Sequence, residues 1–484
     1  MYGLIYRSER NYNEAIKAYK QALRIDIGNI QILKDLGLLQ IQMRDLDGFT
    51  KTQHEILELK PNLKGNWLSF ALGKHMQEDP QGAVGVIDTF LSTLEEGSVD
   101  LEKNFETSEL AMYKNSIIAE CGEYKKALDH LDECRKKDII VDELASLKMK
   151  GLYQLQLNRF DDAKDTFYNL FQRGSTEDYS VHTGYMLSML KIGGATAEKM
   201  LKIKGARALT SLLVLTDEQK SSLKEVYQNK LKDAFTKSNA VKRITLTMLK
   251  IDSDEWNAAI SKYLQPNIKR GMPSLGEDLS ALFLIQSSCD EKEYCIAKDP
   301  VDIKVNACFK SIVKIVDGYI TALEADSTFP DSDEIQAPSS LLWTWYLRAT
   351  LHEIVGEYSE GIVVADKCLE QTPTGVDLYE QKARLLKGAG DIHAAVECLE
   401  KGRQLDLQDR YINNLTTKFC MQADKREEAL EKMSLFTRHE SDPEQNIFDM
   451  QVTWYELELA ASYERNNIIG KSLKKYRKFD GSFI

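Results

Sequence analysis

The segment NYNEAIKAY, residues 11–19, contains the pattern from which the fold of this chain is predicted. The asparagines suit the turn and the first turn of a helix, and Ala15, Ile16 and Tyr19 lie on one face of that helix. The position of Ala15 recurs at Phe49 and again at Ala83, at a constant interval along the chain. The segment is therefore one copy of a helical repeat.

Two other positions recur at the same interval in the first ninety residues. Small residues at the eighth and twentieth positions let two helix backbones approach closely, and larger groups near position 27 fill the gap to the next repeat. The eighth position is held by Gly3, Gly37 and Ala71, and the twenty-seventh by Ala22, Ile56 and Phe90. The interval, about 34 residues, is that of the tetratricopeptide repeat. We therefore predict an all-α solenoid, a right-handed superhelix of antiparallel helix pairs.

A second array follows the same register further along the chain. Its eighth positions are Ala349, Ala383 and Thr417, its twentieth Gly361, Ala395 and Ala429, and its twenty-seventh Cys368, Gly402 and Phe436. Between the arrays, Ala127 and Ala163 indicate two more units at a slightly longer interval.

The middle of the chain keeps amphipathic helices, for example at 223–235 and 311–323, although the period is blurred. Residues 326–340, rich in Asp, Ser and Pro, predict an exposed loop. Because neighbouring solenoid units stack continuously, we do not expect this loop to separate independent domains. The predicted segments are a first array at 1–194, an irregular helical middle at 195–338, a second array at 339–478 and a tail at 479–484.

The two ends depart from the repeat. Gly3 already occupies an eighth position, and the tail abandons the pattern without a polar capping helix. Since solenoids need capped ends to stay in solution, we expect a chain truncated at both ends.

Composition narrows the function. Only 9 prolines and 27 glycines occur in 484 residues, too few for many short strands and tight turns. A net charge of −12 disfavours DNA binding through bulk electrostatics. No apolar run approaches the roughly 18 residues of a membrane span, and the start lacks a signal-peptide core. These observations favour a cytoplasmic location.

Chemistry-bearing motifs are missing from the sequence. The eight cysteines form no C-x-x-C pair, Cys289, Cys295 and Cys308 have no histidine at ligand spacing, and Cys134 and Cys368 occupy repeat-core positions. The seven histidines occur singly, and His352 falls in the repeat core. No nucleophile elbow, Walker loop or dinucleotide fingerprint occurs, and the glycines of KGAG, residues 387–390, suit a turn between two helices. We therefore expect no catalytic centre, no metal site and no strand that would carry one.

Two basic stretches remain as candidate binding residues. The last helix is basic at Lys471, Lys474, Lys475, Arg477 and Lys478. Such a run is typical of a solvated helix face, and a phosphate-rich partner such as ribosomal RNA is the sharper alternative. In the second stretch, Arg410 and Lys418 lie near a helix–helix turn. One interpretation is that Asp409 and Asn413 cap this turn, and the alternative is that the two cations converge on a polyphosphate.

Several segments together resemble one family, the auxiliary, ribosome-anchoring subunit of the N-terminal acetyltransferase A complex. They are GLIYRS at 3–8, NIQILKDL at 29–36, LLQIQMRDL at 38–46, GMPSL at 271–275, LLWTWY at 341–346, DLQDRYIN at 406–413 and FTR at 436–438. The resemblance runs from Gly3 to about Arg477. Residues 195–220 match it poorly, and the family extends beyond this chain at both ends.

The resemblance implies a function. Members of the family are scaffolds that wrap a small catalytic acetyltransferase, which acetylates the amino termini of nascent chains at the ribosome. Acetyl-coenzyme A is bound by that partner, so the scaffold needs no cofactor of its own and contacts nascent polypeptides only indirectly. The family also holds inositol hexakisphosphate between its two subunits, which makes Arg410, Tyr411 and Lys418 the candidate site. Gln422 stands where the family pattern has a lysine.

Two other classes of protein remain as alternatives. A generic tetratricopeptide adaptor, such as a chaperone-tail receptor, would hold a peptide carboxylate with a lysine and asparagine clamp. Leu4 and Leu38 occupy the positions of that asparagine, which disfavours the clamp. An enzyme in its own right would need a strand-borne site that the sequence does not indicate.

Overall fold

Successive helices pair antiparallel along most of the chain. The structure is a computed structural model, which describes residues 1–94, 103–286, 294–330, 332–438 and 442–480. Two compact units divide the chain, one from Met1 to Ile203 and one from Lys204 onward. The first unit includes Gly194–Leu201, which packs on the preceding helix.

The first unit is built from consecutive helices. They are α1 Tyr2–Ser8, α2 Tyr12–Ile25, α3 Ile30–Gln42, α4 Leu46–Leu59, α5 Lys64–Met76, α6 Pro80–Ser92, α7 Phe105–Glu120, α8 Tyr124–Lys136, α9 Glu143–Gln156, α10 Phe160–Gln172, α11 Tyr179–Met189 and α12 Gly194–Leu201.

Short polar side chains start the second helix of each early repeat. The side chain of Asn11 accepts from the backbone N–H of Glu14, that of Asp45 from Gly48, and that of Asp79 from Gly82. Each contact satisfies one of the amide groups that a helix start leaves unpaired, and each is worth about 1 kcal/mol.

The residue just before each of these caps adopts the left-handed conformation. Arg10, Arg44 and Glu78 have φ of 58°, 58° and 61°, and they recur at the interval of the repeat. In the second array the same turn is made by Gly356 and Gly390, with φ of 75° and 95°. Glycine adopts this geometry without strain, whereas a side chain costs roughly 1–2 kcal/mol.

The predicted repeat core is confirmed in the first unit. Gly3, Gly37 and Ala71 are buried, and a methyl group on Gly3 would lie 3.0 Å from the ring of Tyr19. The twentieth-position residues Ala15 and Ala83 are fully buried, as are Ala127 and Ala163 of the later units. Side-chain size at these positions therefore sets how closely paired helices approach.

The second unit contains more varied elements. They are α13 Thr210–Leu213 after a 3-10 turn at Gly205–Leu209, α14 Asp217–Glu225, a π-helical segment Val226–Leu231, α15 Lys232–Ala234, α16 Asn239–Met248, α17 Asp254–Arg270, α18 Leu275–Ser280, β1 Leu284–Gln286, β2 Tyr294–Ile296, α19 Pro300–Val305, α20 Ala307–Asp326, α21 Pro338–Ile354, α22 Tyr358–Gln371, α23 Val376–Gly388, α24 Ile392–Leu405, α25 Arg410–Gln422, α26 Arg426–Ser434, α27 Pro443–Asp449, α28 Thr453–Arg465 and α29 Ile469–Asp480.

The middle of the chain departs from the prediction in three places. No strand was expected that would carry a site, and the structure does contain a short antiparallel pair, β1 and β2, with Ile285 opposite Cys295. The helix predicted at 223–235 contains a π-helical segment. The predicted loop at 326–340 is not wholly exposed, since Phe329 is 1% exposed and stacks edge-on against Tyr319.

A buried arginine joins three helices of this region. Arg243 on α16 pairs with Asp278 on α18 at 2.7 Å, and its Nε donates to the hydroxyl of Tyr263 on α17 at 2.9 Å. Because the guanidinium group has both a carboxylate and a hydroxyl acceptor, its burial is compensated.

The repeat core of the second array is also confirmed. Ala349, Ala383 and Ala395 are fully buried, and His352, 7% exposed, has its Nδ1 2.9 Å from Glu357 as expected of a packed imidazole. Cys368 is buried, and burial raises the pKa of its thiol to about 12. Such a thiol is unreactive, as predicted for a core position.

A few predictions fall at the edges of the described ranges. Cys289 and His439 lie outside the described residues, as do the last four residues of the predicted tail. The tail was expected to leave the repeat pattern at 479, but α29 continues through Asp480. Among the described residues no helix combines the length and apolar composition that crossing a bilayer requires.

Candidate functional site

The first helices of the second array form a row, α21, α23, α25 and α28, from which polar side chains project. Helix α21 packs against α23 and α25 packs against α28, and side-chain contacts connect α23 to α25. Residues 31 positions apart face each other across adjacent helices: Arg384 Nε lies 3.0 Å from Glu353, and the Tyr411 hydroxyl donates to Glu380 at 2.9 Å. Each contact therefore joins one repeat to the next.

One end of this row is acidic. Glu277, Glu353, Asp377 and Glu380 line a cavity of about 410 Å³ together with Arg384. Burial raises the pKa of Glu353, and the charge of Arg384 opposes that rise. The carboxylates outnumber the guanidinium group, so the cavity has a negative formal charge.

The other end of the row is basic. Lys387 on α23 and Lys418 on α25 are separated by the same number of residues as the pairs above, and burial together with the charge of Lys418 lowers the pKa of Lys387. The Lys387 ammonium also lies 4.7 Å from the ring centroid of Phe419. Two ammonium groups that repel each other are stabilised by an anion bound between them.

The structure brings together two of the three predicted polyphosphate residues. Tyr411 and Lys418 are seven residues apart on α25 and therefore lie on the same helix face. Arg410 is separate from them, with its guanidinium group 5.3 Å from the ring centroid of Phe436. The hydroxyl of Tyr411 is bonded to Glu380, which leaves Lys418 as the cation of this face.

Acidic and amide groups adjoin Lys418. Its ammonium lies 3.7 Å from Glu458, and Gln422 donates to the same carboxylate oxygen at 2.9 Å. Lys387, which motif comparison did not identify, completes the basic end. The sequence does indicate Lys387 in one way, because the number of residues between Lys387 and Lys418 is the same as in the other facing pairs of the row.

The basic last helix, α29, divides into structural and exposed lysines. Lys475 is paired with Glu444 at 3.0 Å and with Glu456 at 3.2 Å, and only 15% of its side chain is exposed. Lys474 and Arg477 are exposed. Of the candidate ribosome residues, the structure therefore gives Lys475 a packing role.

Aromatic rings adjoin the other two lysines of α29. The ammonium of Lys478 lies 3.6 Å from the ring centroid of Phe448, and that of Lys471 lies 5.4 Å from the ring centroid of Tyr463. Both lysines therefore also contribute to packing through cation–π contacts.

The first unit presents leucines where a carboxylate clamp would need asparagine. Leu4, Leu38 and Leu72 occupy the ninth position of three successive repeats, and their exposed fractions are 55%, 61% and 42%. The leucine side chain donates no hydrogen bond, so these three positions lack the asparagine donor that such a clamp uses.

The chain is similar to known proteins over its whole length. It is 34% identical over 474 residues to the N-terminal acetyltransferase A complex auxiliary subunit NAA15 of Arabidopsis thaliana, covering 98% of this chain and 48% of the relative. It is 29% identical over 486 residues to the human N-alpha-acetyltransferase 16, NatA auxiliary subunit, covering 100% of this chain and 50% of the relative. The chain thus spans about half the length of these curated relatives.

A solved structure and two family models agree with these relatives. The structure of Naa15/Naa10 bound to HypK-THB contains a chain that matches with a TM-score of 0.74 and 27% identity, covering 99% of this chain and 64% of that one. A tetratricopeptide repeat model matches residues 1–26. The model for the auxiliary subunit of N-terminal acetyltransferase A matches residues 105–484. The chain belongs to the family of N-terminal acetyltransferase A auxiliary subunits.

Proposed function

We propose that this chain is a non-catalytic scaffold that binds a small catalytic N-terminal acetyltransferase. The observation that carries the proposal is the match, over 99% of this chain, to a chain of the Naa15/Naa10 structure. The partner would bind acetyl-coenzyme A, and the scaffold would reach nascent polypeptides only through that partner. The complex would act in the cytoplasm at the ribosome, without contact to membrane or DNA.

The charge distribution of the helix row supports a protein partner that carries charges of both signs. The acidic cavity near Glu277 and Glu353 suits basic side chains, and the basic end near Lys387 and Lys418 suits acidic ones. Complementary charges of this kind fix the register of a complex and speed its formation.

Co-expression with a catalytic subunit tests the proposal directly. We expect the chain to elute as one complex with the acetyltransferase, and we expect the complex to acetylate peptides that begin with alanine or serine. The chain alone should transfer no acetyl group. Gel filtration and an acetyl-transfer assay measure both properties.

A matched pair of variants locates the contact. Glu277→Lys reverses a charge at the exposed rim of the acidic cavity and should weaken binding of the partner roughly tenfold. Glu397→Lys makes the same change on the second helix of a repeat, α24, and should have no effect. Recovery of chaperones without any acetyltransferase would favour the generic adaptor and contradict the proposal.

We further propose that an inositol polyphosphate binds at the basic end of the row. Lys418 and Lys387 would hold phosphate groups, with Arg410 and Tyr411 at the margin of the site. Burial and, after it, the charge of Lys418 lower the pKa of Lys387, and a bound phosphate would oppose both effects, which supports this assignment.

Thermal unfolding of the chain co-expressed with its partner tests the polyphosphate site. Inositol hexakisphosphate should raise the melting temperature of the wild-type complex, and Lys387→Gln/Lys418→Gln should remove most of that increase. Lys401→Gln, an exposed lysine on α24, serves as the control for charge and should keep the increase. Equal increases in the double variant and the control would contradict the site, whereas Arg410→Gln should have the smaller effect.

For the ribosome contact we propose the exposed face of α29. Lys474 and Arg477 would meet ribosomal RNA, with Lys471 and Lys478 beside them. Lys475 would support this surface through its ion pairs and would not touch RNA itself.

A further inference from the structure

An open cavity of about 570 Å³ lies in the second unit, between α16, α17 and the segment at 228–236. Its volume falls within the range of about 300–1,000 Å³ that is usual for small-molecule sites. None of the residues of the helix row described above lines it. The cavity is therefore a separate feature of the second unit.

The cavity lies in a basic part of the chain. Residues 220–250 include eight lysine or arginine residues and two acidic residues, in a chain whose net charge is −12. A local reversal of charge in an acidic protein produces a positive potential that concentrates anions.

Three lysines line the cavity, one from each wall. Lys232 belongs to α15, Lys242 to α16 and Lys262 to α17. Two carboxylates also line it, the exposed Asp233 and Glu255, and Glu255 is paired with Lys224 at 2.6 Å. The lining thus contains three ammonium groups and two carboxylates, and its formal charge is positive.

Part of the cavity lining is apolar. Val241 is 2% exposed and Thr245 is 7% exposed, and Ala258 and Ala259 of α17 also line the cavity. A ligand in contact with this surface would bury an apolar part, worth about 25 cal/mol per Å² of apolar area.

The π-helical segment shapes one wall. It contributes Gln228 and Asn229, whose amides can both donate and accept hydrogen bonds. A π-helical turn is rare, and such turns occur frequently at functional sites. Its presence beside the cavity is a second reason to regard the cavity as a binding site.

We propose that this cavity binds a small organic phosphate. The lysines from the three walls hold the phosphate group, and the organic part of the ligand packs on Val241 and Ala258. The site is independent of the scaffold function and of the polyphosphate site near Lys418.

Calorimetric titration of the chain with phenyl phosphate tests this site. We expect saturable binding of one molecule per chain, tighter than that of inorganic phosphate because the ring reaches the apolar surface. Lys232→Gln/Lys242→Gln/Lys262→Gln should weaken binding of phenyl phosphate roughly tenfold or more. Lys250→Gln, a nearby exposed lysine outside the cavity, is the matched control and should bind like the wild type.

A second variant separates the apolar contribution from the charges. Ala258 is an exposed residue of the cavity lining, and Ala258→Leu would fill part of the cavity. The substitution should weaken the binding of phenyl phosphate and leave the affinity for inorganic phosphate unchanged. The proposal is overturned by equal affinity of the wild type and the triple variant, or by no saturable binding up to about 10 mM phenyl phosphate. Displacement of phenyl phosphate by a single-stranded RNA but not by inorganic phosphate would assign the basic segment to RNA and also overturn it.

Discussion

Replacement of Phe167 by alanine is expected to lower the free energy of unfolding of the first unit by about 3–5 kcal/mol. Phe167 on α10 is fully buried between α9 and α11. The ring packs against two glycines, Gly151 on α9 and Gly184 on α11, which have no side chain and therefore leave space for it. Removal of the ring leaves a cavity that rigid helices cannot close. Urea unfolding, with hydrogen exchange of the α9–α11 amides, measures the loss.

The two glycines provide an internal check on this explanation. A methyl group on Gly151 would lie 2.8 Å from the Phe167 ring, and one on Gly184 would lie closer still. Gly184→Ala should therefore destabilise the wild type by about 1–3 kcal/mol. In the Phe167→Ala background the same change should stabilise the chain, because the methyl group fills part of the cavity and alanine favours the helix.

A surface aromatic residue controls for the loss of a ring as such. Phe105 is 70% exposed, so Phe105→Ala should change the free energy of unfolding by less than about 0.5 kcal/mol. If Gly184→Ala changed the free energy of unfolding in the same direction in the wild type and in Phe167→Ala, close packing around Phe167 would not be the source of the stability.

The recurrence of small residues made the repeat predictable, because a two-helix unit needs them wherever its backbones approach. Ala383 and Ala395 could be assigned to the core from spacing alone, and both are fully buried. The π-helical segment at 226–231 could not be predicted, because its sequence keeps helical periodicity and the inserted residue is set by tertiary packing.

Prediction of the candidate site was limited in a different way. The motif around Arg410 and Tyr411 indicated α25, but neighbouring residues on a helix point in different directions, so Arg410 contacts Phe436 instead of sharing a face with Lys418. The motif also does not show which residues of adjacent first helices face each other. Those residues have a constant sequence separation, which is the same for Lys387 and Lys418 as for Glu380 and Tyr411. It follows from the repeat length, so it could be read from the sequence once the register is known.

Lys475→Met is expected to cost about 3 kcal/mol of stability and to release α29 from its neighbours. Glu456 is only 4% exposed, and the ammonium of Lys475 lies 3.2 Å from its carboxylate. Without Lys475 this carboxylate remains buried without the cation. Burial lowers the pKa of Lys475, but the carboxylates of Glu444 and Glu456 have the larger effect, so the pKa of Lys475 is raised. Because a raised lysine pKa stabilises the folded state until the pH passes that pKa, the loss should be the same at pH 7 and pH 9.

Neighbouring variants distinguish a packing role of Lys475 from a role in RNA binding. Lys474→Met changes an exposed residue and should alter stability by less than about 0.5 kcal/mol, yet it should weaken ribosome association in a sedimentation assay. Glu456→Gln in the Lys475→Met background removes the uncompensated charge and should restore part of the stability. Wild-type stability of Lys475→Met together with lost ribosome binding would instead make Lys475 a direct RNA contact. The ion pairs of α29 would then have no structural role, because a buried carboxylate whose cation can be removed without cost is not held by that cation.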